Sequence, residues 1–132
     1  MRSLLVLPIV LLLFAALATS IHGVPNTKLL SVLCNSGVYT AADPFSISLA
    51  YVLSDLKAHT PSRKSHDYYN ISPFPIAFAY GHAACVPKLS AVDCGACLGE
   101  AVQAMNSSCV MRIGARAVLS DCDARYEQYP FV

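Results

Sequence analysis

Six cysteines, at positions 34, 85, 94, 97, 109 and 122 of a 132-residue chain, restrict the fold more than any other feature. What they can do depends on where the chain ends up. The first residues, MRSLLVLPIVLLLFAALATS, carry one Arg, then an apolar run, then small side chains. That is the layout of a secretory signal peptide. A spanning helix needs about 20 apolar residues, and this run is shorter and fades into Ala, Thr and Ser. Residues 1–23 are therefore expected to be a leader, with cleavage between Ala18 and Pro25, and residues 24–132 to form a single domain with one modest core. No membrane span is expected in the mature chain.

All six cysteines lie in the mature part, and an even number in a short secreted chain implies a disulfide framework, because the secretory route is oxidising. The segment CVPKLSAVDCGAC, Cys85 to Cys97, admits two other uses. Its CGAC resembles a thioredoxin-type C-x-x-C, but the flanking Trp and the βαβ pattern are missing. Zinc held by Cys85, Cys94, Cys97 and His82 would need thiolates that this compartment oxidises. Structural staples are the better reading. Which cysteine pairs with which is not set by spacing.

Charge narrows the partners. After the leader, the bases Lys28, Lys57, Arg63, Lys64, Lys88, Arg112, Arg116 and Arg125 face the acids Asp43, Asp55, Asp67, Asp93, Glu100, Asp121, Asp123 and Glu127, leaving no net charge. Nucleic acid and anionic membranes recruit proteins with a clustered excess of Lys and Arg, so neither is expected as a partner.

The elements follow from pattern. Leu30 to Cys34 alternates as a strand; Asp43 and Pro44 open a helix with Leu49, Leu53 and Leu56 on one stripe, ended before Pro61. A short strand is expected around Tyr68 to Ile71, and another from Ala77 through Tyr80 toward Cys85. The aromatic residues between Tyr68 and Tyr80 are expected in the core, with sugar stacking as the alternative. Ser90 and Asp93 make a capping signal for a second helix carrying Cys94, Cys97, Leu98, Ala101 and Met105 on one stripe. Gly95 and Gly99 weaken it by about 1 kcal/mol each. Strands follow over Ile113 to Cys122 and Asp123 to Tyr129. This order implies an α+β domain: two helices packed on one face of an antiparallel sheet of about five strands, with three disulfides.

Cysteine spacing and tail then combine. C-x8-C-x2-C, Cys109, Cys122 and the segment IGARAVLSDCDARYEQYPF together resemble the plant cysteine-rich secretory domain of the ginkbilobin-like family, also found doubled in ectodomains of cysteine-rich receptor-like kinases. The likeness runs from Leu30 to Phe131. It implies the pairs Cys34 with Cys109, Cys85 with Cys94, and Cys97 with Cys122. It further implies a secreted, apoplastic, mannose-binding lectin with antifungal activity, whose sugar contacts would be Asn35, Arg116 and Glu127. The partner so implied is a mannose-containing glycan of a fungal surface.

Those residue types suit the task. A carboxylate accepts from neighbouring hydroxyls, a guanidinium donates along a rigid fork, and an amide does both. No cofactor or metal is required, and the chain carries no acidic calcium loop. The bland alternatives are an Arg116–Glu127 surface ion pair and a turn role for Asn35 beside Gly37. Asn70 in NIS and Asn106 in NSS are N-glycosylation sequons. His22, His59, His66 and His82 form no metal or catalytic spacing, and no nucleophile with base and orienter assembles, so no enzyme is expected. A protein-interaction module and a small protease inhibitor are the competing readings.

Overall fold

The computed structural model describes residues 24–132; the expected leader, residues 1–23, lies outside the described residues. Strand β1 (Leu29–Cys34) is followed by helix α1 (Phe45–His59), a 3-10 turn (Thr60–Ser62), β2 (Asp67–Ile71), β3 (Tyr80–Cys85), helix α2 (Ala91–Ser108), β4 (Ala115–Leu119) and β5 (Cys122–Glu127). The strands form one five-stranded antiparallel sheet in the order β1-β4-β5-β3-β2. Both helices pack on one face of it.

Side-chain size explains that layering. The sheet offers mostly alanine to the helices: Ala83, Ala117 and Ala124 are fully buried and Ala115 nearly so. The helices fill the space with Phe45, Leu49, Val52, Leu53, Leu56, Leu98 and Met105, all buried. Small residues on the sheet allow close approach and large residues on the helices close the voids. Gly81 on β3 belongs to this arrangement, since a Cβ there would run into Val52 and Asn70.

Local signals set the helix ends. The Asp43 carboxylate accepts from the Phe45 backbone N–H at 2.9 Å, and the Ser90 hydroxyl accepts from the Asp93 N–H at 3.1 Å. Helix α1 thus begins just after the Asp43-Pro44 pair that marked it in the sequence. Strand β3 starts later than expected. Ala77 takes a left-handed φ of 60°, which breaks the alternation before Tyr80. The aromatic run is also more exposed than expected: Phe74, Phe78 and Tyr69 are all exposed, and only Tyr68 packs against the core. The reason lies in β2 being an edge strand, with a proline-interrupted loop behind it.

Disulfides join Cys34 to Cys109, Cys85 to Cys94 and Cys97 to Cys122. Each has one end in α2 or at its C-cap, so the helix is tied to β1, β3 and β5. This offsets its glycines. A Cβ at Gly99 would meet nothing, so close backbone packing is not why that glycine is tolerated.

Helix α1 is secured to β2 by a polar cluster. Asp55 accepts from the Tyr68 hydroxyl at 2.8 Å and from Asn70 Nδ2 at 3.0 Å, and lies 2.8 Å from His59 Nδ1. Burial alone would push the Asp55 carboxyl up, but hydrogen bonds from Asn70 and Tyr68 and the neighbouring His59 outweigh it and hold it below the usual value. A carboxylate depressed in the folded state stabilises above its unfolded pKa of about 3.9 and loses that contribution as pH falls through the folded value. Asp55→Ala is therefore expected to cost about 2 kcal/mol at pH 7. The gap from wild type should shrink in acid, and urea unfolding at neutral and acid pH checks it; an equal gap at both would refute the assignment. Asn70 Nδ2 also donates to the Val52 carbonyl at 3.1 Å. A glycan on that nitrogen would replace one of its two hydrogens and forfeit one of these two bonds.

Candidate functional site

The face of the sheet away from the helices is open, and it carries the charged side chains. Alternation along β4 and β5 sends Ala115, Ala117, Ala124 and Tyr126 to the core and Arg116, Asp123, Arg125 and Glu127 to the other side. Arg116 and Arg125 stand directly opposite each other across the strands. Like charges so placed repel. Each is balanced by an acid, Arg116 by Asp123 at 3.5 Å and Arg125 by Glu127 at 3.6 Å. The simple Arg116–Glu127 ion pair, one of the bland readings, is not what forms.

Asn35 reaches this face from the end of β1. Its backbone N–H donates to the Gly114 carbonyl at 2.8 Å, and its carbonyl accepts from Arg112 Nη1 at 2.9 Å. The adjacent Cys34–Cys109 bridge fixes the same turn covalently. Its Oδ1 accepts from the Gly37 N–H at 2.9 Å, so the turn role is also real. That bond leaves the amide nitrogen directed at Glu127, with Nδ2 at 3.5 Å from Oε1.

Glu127 is the unusual member. It is a carboxylate only 5% exposed, and its two protein donors, Asn35 and Arg125, stand at 3.5 and 3.6 Å. Ordinary N–H···O bonds run about 2.7–3.2 Å, so its accepting capacity is poorly used. A buried charge in that state is costly unless a further donor arrives. Gly114 makes room for it, because a Cβ there would fall on the carboxylate. Beneath, the Tyr126 hydroxyl donates to the Arg112 carbonyl at 3.1 Å. Burial, with the charges of Tyr39 and Glu127 near it, pushes that phenol up to about 12, so it stays a donor.

Asn35, Arg116 and Glu127 together line one cavity of about 370 Å³, with Leu33, Arg125 and Tyr129 among the other residues of its wall. The sequence reading named the first three and missed Arg125 and Tyr129. The signal for Arg125 was present in the alternation of β5, which puts it on the same face as Glu127. Asn106 is apart from all this, exposed near the end of α2. No cluster of His, Cys, Asp and Glu able to hold a metal is found among the described residues. No helix there is long and apolar enough to cross a membrane.

Residues 33–129 match the family described as salt stress response/antifungal. An antifungal ginkbilobin-like protein of Picea abies is 37% identical over 109 residues, covering 81% of this chain and 99% of that protein. Antifungal protein ginkbilobin-2 of Ginkgo biloba is 36% identical over 108 residues, covering 80% of each. Among solved structures, the tandem DUF26 ectodomain of the Arabidopsis thaliana cysteine-rich receptor-like protein PDLP5 superposes with a TM-score of 0.73 at 17% identity, a likeness of fold alone. It covers 80% of this chain, which spans about half, 52%, of that one. The family match takes in all six cysteines and runs from the end of β1 to Tyr129, and the chain belongs to the non-enzymatic salt stress response/antifungal family, alongside the ginkbilobin-like antifungal proteins.

Proposed function

We propose that this is a secreted defence protein that binds mannose units of fungal surface glycans through Asn35, Arg116 and Glu127. The observation that carries the reading is Glu127, a nearly buried carboxylate in the wall of an open cavity with its protein donors held too far to satisfy it. Neighbouring sugar hydroxyls are the donors such a group accepts, while Arg116 and the Asn35 amide donate in return. The antifungal names of the relatives support the biological setting. Because each exchange with water nets about 1 kcal/mol, a single mannose should bind only near the millimolar range. Retention on a polymer then depends on many weak contacts.

Wild-type protein is expected to be retained on a mannan column, with Glu127→Ala and Arg116→Ala passing through while their circular dichroism stays that of the folded domain. Equal retention of all three would remove the assignment. In this reading residues 1–23 are the leader, and any N-linked glycan sits on Asn106, since Asn70 is engaged under α1. The intact mass of the exported protein used on the column, before and after glycosidase, reports both. A protein-interaction role has one observation in its favour, the exposed apolar residues Ile47, Tyr51, Phe74 and Ile76, of which Tyr51 and Phe74 pack edge to face. A blank glycan array together with a specific protein partner would select that role instead.

A further inference from the structure

We infer that the mannose cavity is one end of a groove for a neutral oligosaccharide, whose second sugar rests against Tyr69, His82 and Phe131. This inference builds on the reading of Asn35, Arg116 and Glu127 as the first-sugar site. A second cavity of about 140 Å³, lined by Tyr69, His82, Asp123 and Phe131, shares both Arg116 and Arg125 with the first. The two hollows therefore adjoin across the paired arginines. The first alone, about 370 Å³, is at the lower end of the about 300–1,000 Å³ of clefts that enclose small-molecule ligands.

The second cavity has the chemistry a pyranose needs, an apolar surface for its C–H face and polar atoms for its rim. The Tyr69 ring stacks on His82 at 4.0 Å and is still half exposed, which leaves its other face available. Phe131 lies 6.3 Å from Tyr69 and is covered on one side by the Arg125 guanidinium, 4.1 Å from its centre. His82 Nε2 is 2.8 Å from Asp67, so Nδ1 is the ring's remaining polar atom. Asp123, held at 3.5 Å by Arg116, adds an acceptor. A third hollow along β4 and β5 also shares Arg116 and Asp123 but presents Val118 and Leu119 and no aromatic ring, so the second sugar is assigned to the aromatic side.

Charge selects the ligand class. Arg116 is balanced by Asp123, Arg125 by Glu127, and His82 faces Asp67, so the row has no uncompensated cation for an acidic sugar. Neutral hexose chains fit, and uronic acids or sulfated glycans do not.

Calorimetric titration of the intact, disulfide-bonded protein with mannose, mannobiose and mannotriose tests the groove. Wild type is expected to bind mannotriose about tenfold more tightly than mannose, as one or two further net hydrogen bonds would give. In Tyr69→Ala and in Phe131→Ala the ratio of the two affinities should fall toward one; Phe131 lies outside every strand and helix, so its variant does not depend on the sheet surviving. Mannose bound with no gain from chain length overturns the groove and leaves the first site standing. A full gain in both variants overturns the placement of the second sugar. Binding of no saccharide at all by wild type overturns the first site and the groove with it.

Discussion

Replacing Cys34 and Cys109 together by alanine is expected to lower the stability of the domain by about 4.5 kcal/mol, the most of the three bridges. Loop-closure entropy gives the scale. The bridges span 75, 25 and 9 residues, and the unfolded-state constraint corresponds to about 4.5, 3.5 and 2.6 kcal/mol. Domains of this size have only about 5–15 kcal/mol in total. The double variant should therefore melt about 18–36 °C lower, at about 4–8 °C per kcal/mol, and full reduction of the wild type should unfold it at ambient temperature. Thermal unfolding by circular dichroism, with and without reductant, measures both. A melting point within a few degrees of wild type would show that the core of α1 and α2 on the sheet suffices alone. Because Asn35 follows Cys34 directly, the same variant should also disturb the geometry of the proposed sugar site.

Gly114→Ala is expected to abolish retention on mannan although it replaces none of the three residues of the proposed sugar site. Gly114 sits in the buried approach to β4, and a Cβ added there would coincide with the Glu127 carboxylate. Either Glu127 swings out into solvent or the backbone shifts, and the Asn35 N–H bonded to the Gly114 carbonyl shifts with it. Overpacking of this kind costs about 1–3 kcal/mol, which a domain with three intact bridges tolerates. The expected result is a folded protein with a lowered melting point and no mannan affinity. Full retention by Gly114→Ala would mean that the position of Glu127 is irrelevant to binding, and the proposed site would fall with it.

Much of this architecture was legible along the chain. Ser90-x-x-Asp93 announces the start of α2 because capping is a local hydrogen bond between neighbours in sequence, while Asp43-Pro44 places the start of α1 one residue early, since Pro44 is its N-cap and Asp43 lies before it, holding the Phe45 N–H. Leu49, Leu53 and Leu56, and Cys94, Leu98, Ala101 and Met105, marked the buried faces because helical periodicity is local too. Where local signals conflicted, the expectation slipped. The alternation from Ala77 to Tyr80 looked like a strand until the left-handed Ala77 broke it, and the aromatic residues after Tyr68 looked like core although β2 is an edge.

The site divides in the same way. Resemblance points to Asn35, Arg116 and Glu127, with the chemistry of their side chains as support; nothing in the linear spacing of residues 35, 116 and 127 brings them to one cavity. Sheet order β1-β4-β5 does, since it lays the end of β1 beside β4 and β4 beside β5. The amino-acid sequence alone determined the elements, the number of cross-linkable thiols and the face each helix buries, all of which depend on near neighbours. Only the tertiary structure decided that Arg125 opposes Arg116, that Gly114 yields its space to Glu127, and that Tyr69 and His82 face the same side. Strand register decides those contacts, and register joins residues that the chain itself holds far apart.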